Sequence, residues 1–148
     1  MSKHDELPFA VTIEVRDSCL CLHLQRAARA LARHYDEALR PAGLTSGQFS
    51  LLMSLNRPEP PRMGAVSALL AMDRTTLTAN LKPLERRGLV EVTVDPADRR
   101  SRKLALTQLG RAALAAAMPA WHAAQEDTQR RLGQTELKRL CGELRALS

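Results

Sequence analysis

Aromatic side chains make up only 3% of the 148 residues: Phe9, Tyr35, Phe49 and Trp121. So few rings argue against single-stranded nucleic acid as a ligand, which needs several exposed stacking platforms. Cysteine is scarce too. Cys19, Cys21 and Cys141 are too few for a disulfide scaffold and match no four-thiolate zinc spacing, which suits a reducing, cytoplasmic setting. No apolar run approaches the ~18 residues of a membrane-spanning helix. The polar start Met1-Ser2-Lys3-His4-Asp5-Glu6 lacks a signal-peptide core, so no membrane partner is expected. Also missing are a glycine-rich phosphate loop, a metalloprotease helix and a nucleophile–base motif. The expectation is a protein that is not an enzyme and needs no cofactor or metal. Cys19 and His23 stand one helical turn apart, but two ligands do not make a site.

What is present is ordinary globular material, 45% hydrophobic and 26% charged, of a length that suits one domain. The net charge of +6 favours polyanionic partners.

Along the chain, residues 1–16 read as a flexible arm. A helix capped by Asp17 or Ser18 then runs to about Arg40, with Leu20, Leu24, Ala27, Leu31, Tyr35 and Ala38 on one face. Pro41 and Gly43 stop it. Thr45-Ser46-Gly47-Gln48 has capping-box spacing and opens a second helix with Phe49, Leu52 and Met53 inward. The proline-rich segment Asn56 to Pro61 is a loop. A short third helix carries Val66, Leu69 and Leu70. Asp73 caps a fourth with Leu77, Leu81 and Leu84 inside, kinked or shortened by Pro83 and ended by Gly88. The period then drops to two: Val90, Val92 and Val94 alternate with polar residues. Asp95 to Ser101 form a charged turn, and Lys103 to Leu106 alternate again. Thr107 opens a long helix to about Arg131, striped by Leu109, Ala113, Ala117 (or Ala116), Ala120 and Ala124, with a kink expected at Pro119 and a stop at Gly133. Leu137, Leu140, Leu144 and Leu147 mark a last amphipathic helix.

The expected fold is mainly α with a small β-hairpin wing. A winged helix-turn-helix over 45–107 is flanked by N- and C-terminal dimerisation helices over 17–41 and 107–148. The outer face of the helix after Asp73 carries Thr75, Ala79, Lys82 and Arg86, with Arg74 and Thr78 beside them. Small hydroxyl residues there can approach base edges, and long cations can reach phosphates, as a recognition helix in a major groove requires. Arg99, Arg100 and Arg102 place cations on the hairpin, suited to a minor groove or its backbone. A solvated basic face is the plainer reading of either feature alone; their succession within one short segment favours duplex DNA. A winged helix that binds protein or RNA is the alternative.

The stretch Met72-Asp73-Arg74-Thr75-Thr76-Leu77-Thr78-Ala79-Asn80-Leu81 resembles the recognition helix of MarR-type transcriptional regulators. Leu84-Glu85-Arg86-Arg87-Gly88-Leu89-Val90 is similar to the exit into their wing. Asp95-Pro96-Ala97-Asp98-Arg99-Arg100-Ser101 and Leu106-Thr107-Gln108-Leu109-Gly110 resemble the wing and the helix after it. Arg26-Ala27-Ala28-Arg29, Tyr35-Asp36-Glu37-Ala38-Leu39 and Gly43-Leu44-Thr45 resemble the first helix and its exit. The resemblance covers residues 18 to 148. It implies a homodimer on a near-palindromic duplex operator, acting as a repressor. It also implies a wing in which Asp98 braces basic side chains while Arg100 meets DNA. Ala97 stands where many members carry an arginine, which leaves Arg99 as its substitute. The terminal apolar stripes, too long for a small winged domain to cover, independently suit a second subunit.

Members of that family release or shift on DNA when a small molecule binds or a cysteine is oxidised. The resemblance places a small aromatic effector near His23, Phe49, Met53 and Trp121, although core packing is the simpler role for each. Cys19, in a helix's first turn, suits a redox-sensing thiol, and by resemblance to peroxide sensors it would pair with Cys141 of the second subunit. Against this, Cys21 flanks the apolar stripe and Cys141 lies on the leucine face of its helix, so both read as small core residues.

Overall fold

The computed structural model describes residues 6–148. It contains two compact units, the chain up to His34 and the segment Tyr35–Ser148.

In the first unit, α1 covers Phe9–Ser18 and α2 begins at Leu20, running to Leu39. The expected arm is therefore helical from Phe9; its first five residues lie outside the described ones. Phe9, Val11, Ile13 and Val15 fall on different sides of the helix axis, so no stripe announced the helix. Cys19 is extended, with φ −69° and ψ 106°, and separates α1 from α2. The expected start of one continuous helix at Asp17 or Ser18 is thus replaced by a break one residue later. In α2, Leu20 is 57% exposed and Leu31 38%. The predicted stripe exists, but within one chain it is largely uncovered.

In the second unit, Leu39 is fully buried and Gly43, at φ 73°, reverses the chain after a 3-10 turn over Arg40–Ala42. Helix α3 spans Ser46–Ser54, and the expected capping box is complete: Thr45 Oγ1 accepts from Gln48 N, and the Gln48 side chain accepts from Thr45 N. Helix α4 covers Met63–Leu70 and α5 covers Arg74–Arg86. Asp73 caps α5 by accepting from Thr76 N at 2.8 Å. At the other end, Leu89 N donates to Leu84 O and Gly88 N to Glu85 O, both at 2.9 Å. This is the paired bond pattern that a left-handed residue at the end of a helix permits, and Gly88 supplies it with φ 71°. Pro83 lies inside α5 without ending it.

Strands β1 (Val90–Asp95) and β2 (Asp98–Leu106) pair antiparallel, from Val90 opposite Leu106 to Val94 opposite Arg102. The hairpin is tighter than expected. Only Pro96 and Ala97 make the turn, so Arg99, Arg100 and Ser101 belong to β2. The segment before α4 adds a bridge from Arg62 to Lys103. Helix α6 covers Gln108–Leu132 and α7 covers Leu137–Arg145.

The core of this unit is leucine-rich: Leu39, Leu52, Leu77, Leu81, Leu84 and Leu104 are 0–2% exposed. Each such side chain contributes roughly 1.5–3 kcal/mol by leaving water. Several inward assignments needed correction. Leu51, not Met53, is buried on α3; Met63 is buried on α4, while Leu69 is 57% exposed. On α6 the inner stripe is Gly110, Leu114, Ala117, Ala124 and Thr128. Ala117 and Ala124 are buried as expected, but at the start of the helix the inner positions are Gly110 and Leu114 in place of Leu109 and Ala113, so Leu109 faces out at 58%. Packing selects the residue closest to the winged unit's backbone, and there only glycine fits: a Cβ on Gly110 would stand 2.1 Å from Leu89 O.

Candidate nucleic-acid interface

Helix α5 is held from beneath by Leu77, Leu81 and Leu84, so its opposite face is exposed along its whole length. Arg74, Thr75, Thr78, Ala79 and Lys82 line one shallow concavity of about 420 Å³ on that face. The Thr78 hydroxyl donates to Arg74 O at 2.8 Å, and the residue is exposed. Thr75 and Lys82 are exposed. The first turn of α5 is fastened by Asp73. Its carboxyl sits below the ordinary carboxylate range because it accepts the Thr76 N–H and then the Thr76 hydroxyl.

A second, larger groove of about 600 Å³ lies between α4, the start of α5 and the wing. Its lining includes Arg62, Ser67, Arg74, Asp98 and Arg100. The predicted helix and wing residues are therefore brought together through Arg74 and Arg100. Arg99 is exposed on β2. Arg102 differs from expectation: it is half-buried and its Nη1 donates to Arg99 O at 3.1 Å and Ser101 O at 3.3 Å, so part of its guanidinium is committed to the wing's own backbone. Asp98 also differs. Its carboxylate accepts from the Arg100 backbone N–H at 3.0 Å and so braces the strand rather than a basic side chain.

Sequence reasoning missed Arg62 and Asp95. The register of the hairpin shifts between Val94 and Asp95. That irregularity leaves Val94 49% exposed and buries Asp95 to 1%. Asp95 accepts from Ala97 N at 3.0 Å and pairs with Arg62 Nε at 2.7 Å. The Ala97 N–H is the main cause holding its carboxyl below the ordinary range, with Arg62 and Lys103 adding to it against the opposing effect of burial. A burial pattern of period two cannot announce a carboxylate that a bulge turns inward. The available signal was the tight Asp-Pro turn itself.

Phe49 and Trp121 stack, with ring centroids 6.1 Å apart and planes 15° apart. Met53 lies instead in a groove of about 420 Å³ with Asn56, Arg111, Leu114 and Met118. In the N-terminal unit, His23 Nδ1 donates to Cys19 O at 2.7 Å; the acceptor is a carbonyl, so that nitrogen carries the proton. All three cysteines are free thiols; Cys19 is half-buried, whereas Cys21 and Cys141 are exposed and not core residues of the single chain. Among the described residues, no helix is long and apolar enough to cross a membrane.

Two helices joined by a short turn, followed by a basic two-stranded hairpin, define a winged helix-turn-helix protein. The family model for the MarR family matches residues 42–101. The HTH-type transcriptional repressor NicR of Pseudomonas putida is 34% identical over 117 residues, covering 78% of this chain and 70% of NicR. The M. tuberculosis transcriptional regulator MosR, solved in complex with DNA, is 38% identical with a TM-score of 0.79, covering 88% of this chain and 93% of MosR. The transcriptional repressor CouR, solved bound to a 23-mer DNA duplex, is 31% identical with a TM-score of 0.77, covering 97% of this chain and 99% of that chain. Of one further curated relative the chain spans about half the length, 54%. The chain belongs to the MarR family of transcriptional regulators, whose members act as regulators and not as enzymes.

Proposed function

We propose that this chain is a cytoplasmic repressor that reads a near-palindromic duplex operator as a homodimer. The observation that carries the reading is the exposed face of α5, where Arg74, Thr75, Thr78, Ala79 and Lys82 share one concavity. Thr75 and Thr78 read base edges; Arg74 and Lys82 hold phosphates; Arg99 and Arg100 extend the contact along the wing, with Arg102 contributing less because its Nη1 is engaged. Dimerisation covers the apolar residues left open in one chain, among them Leu20, Leu31, Leu144 and Leu147. The test is selection of bound sites from a random duplex library. A two-fold symmetric consensus with half-sites one duplex turn apart, roughly 34–36 Å, is expected. A chain that stays monomeric and enriches no sequence at low ionic strength overturns the reading.

We further propose that a small aromatic effector shifts or releases the dimer. The groove at Met53 and Met118 offers an apolar wall with the Arg111 guanidinium at its edge, chemistry that suits an aromatic acid. Benzoate and hydroxybenzoates are the first probes, read by thermal shift and by loss of DNA binding; no shift with any of them counts against this site. Oxidation of Cys19 with Cys141 is the second reading, favoured by Cys19's position at the α1–α2 break, where a changed thiol alters a helix junction. Peroxide treatment that leaves DNA binding intact, or release that persists in Cys19→Ser, excludes it.

A further inference from the structure

Arg62 lies outside the recognition helix and outside the wing, yet three constraints meet on it. Its carbonyl accepts from Ala65 N at 3.0 Å and Val66 N at 3.3 Å, which starts α4. Its backbone bridges to Lys103 on β2, and Leu104 N donates to the neighbouring Pro61 O at 2.9 Å. Its Nε binds Asp95 at the base of the hairpin turn. The side chain is nevertheless 54% exposed, while its partner carboxylate is 1% exposed. The guanidinium is thus paired by charge, through its Nε edge, with a buried acid, and its Nη groups have no partner among the described residues. They border the groove that also receives Arg74 and Arg100, next to Gly64 and Ala65 in the first turn of α4. A guanidinium held by one edge presents the other with little further loss of freedom. Ordinary surface arginines lack such a hold.

We infer that Arg62 is a further DNA-backbone contact and the positioning residue of the wing: its Nη groups bind a phosphate in the groove shared with Arg74 and Arg100, while its Nε, on Asp95, fixes the hairpin relative to α4. The groove is chemically suited to a phosphodiester. Three guanidiniums face it against the Asp98 carboxylate, which is occupied by the Arg100 N–H. This inference rests on the duplex-DNA reading above.

The decisive variant is Arg62→Gln, in which the amide can still donate to Asp95 but the charge is gone. Binding of the full chain to a mixed-sequence duplex spanning two half-sites is measured across a salt series, with a melting curve for each protein. Arg62→Gln is expected to melt like the wild type, to bind all sequences several-fold more weakly, and to lower the salt slope by about one unit. Asp95→Asn is expected to weaken binding with the slope unchanged, because the phosphate contact survives while the wing loosens. Wild-type binding with an unaltered slope in Arg62→Gln overturns the contact, and unaltered affinity in Asp95→Asn overturns the positioning role. Should Arg62→Gln melt early, Arg62→Lys gives the same reading in reverse, because it keeps the charge and must keep the slope. Failure of the wild-type chain to bind the duplex removes the DNA reading itself, a result distinct from both.

Discussion

Thr107 donates its hydroxyl proton to Gly88 O at 2.6 Å, and the same oxygen accepts the Gly110 N–H at 3.0 Å. One side chain therefore caps α6 and ties its start to the end of α5, with Thr107 N adding a bond to Leu89 O at 3.1 Å. Thr107→Ala removes the cap and is expected to cost about 1–2 kcal/mol. Thr107→Ser keeps the oxygen and should recover most of that loss. Urea denaturation of the three proteins checks it; equal midpoints for Ala and Ser would show the cap to be idle.

Three residues further on, substitution meets backbone. A Cβ on Gly110 falls 2.1 Å from Leu89 O and 3.0 Å from its carbonyl carbon. Neither atom belongs to a flexible side chain, so α6 must move away from the end of α5. Gly110→Ala is expected to destabilise by about 3 kcal/mol. The measurement is chemical denaturation, and a loss below the error of the midpoint refutes the packing argument.

Features whose cause is local were legible in the sequence. The Thr45 capping box, the Asp73 cap, Gly88 and the Leu77-Leu81-Leu84 face depend on neighbours within a few residues, and the structure has them as expected. The residues misplaced were those decided by distant partners. Leu109 and Leu114 compete for the inside of α6, and the close approach of Gly110 to Leu89 settles it for Leu114. Asp95 is buried because of a register shift and because Arg62, 33 positions away by numbering, meets it. Helix α1 carries no apolar stripe, so periodicity is silent there. The α5 half of the interface was readable for the same reason as its buried face: one fixes the other by rotation about the helix. The groove centred on Arg62 was not.

The turn between α4 and α5 contains the only described non-glycine residue with positive φ, Ala71 at 49°. Its Cβ makes that conformation unfavourable by roughly 1–2 kcal/mol. Glycine removes the strain but loses more chain entropy on folding, about 0.5–1 kcal/mol. Ala71→Gly is therefore expected to stabilise slightly, by up to about 1 kcal/mol, and Ala71→Val to destabilise. A melting temperature that falls in Ala71→Gly contradicts this account of the turn.

Acid should release two fasteners of the winged unit. Asp36 accepts Ser46 N at 2.6 Å, and this bond, then the Ser46 hydroxyl, holds its carboxyl below the ordinary value of 3.8. Asp73 is lowered by Thr76 in the same way. A depressed folded pKa means that the stabilisation is fully present above the unfolded value and disappears as pH falls through the folded one. The stability gap between the wild type and an Asp36→Ala/Asp73→Ala variant should thus be constant near neutrality and narrow below about pH 4. A gap that persists unchanged into strong acid means that the carboxylate charges do not matter.

On α5, residues about two turns apart should separate affinity from specificity. Lys82 has a long stem and an exposed ammonium, whereas Thr75 is short and lies nearer the start of the helix within the same concavity. A point charge on a flexible stem meets phosphate without regard to sequence, while a short hydroxyl and methyl sense the base edge they touch. Lys82→Ala should therefore weaken every duplex alike and reduce the salt slope by about one unit. Thr75→Ala should leave the slope in place but relax preference at one position of each half-site, by about 1 kcal/mol or more between bases. Site selection repeated with both variants tests the pair together. If Lys82→Ala changes the consensus while Thr75→Ala changes only the slope, α5 docks in another orientation, with the end near Lys82 facing the bases.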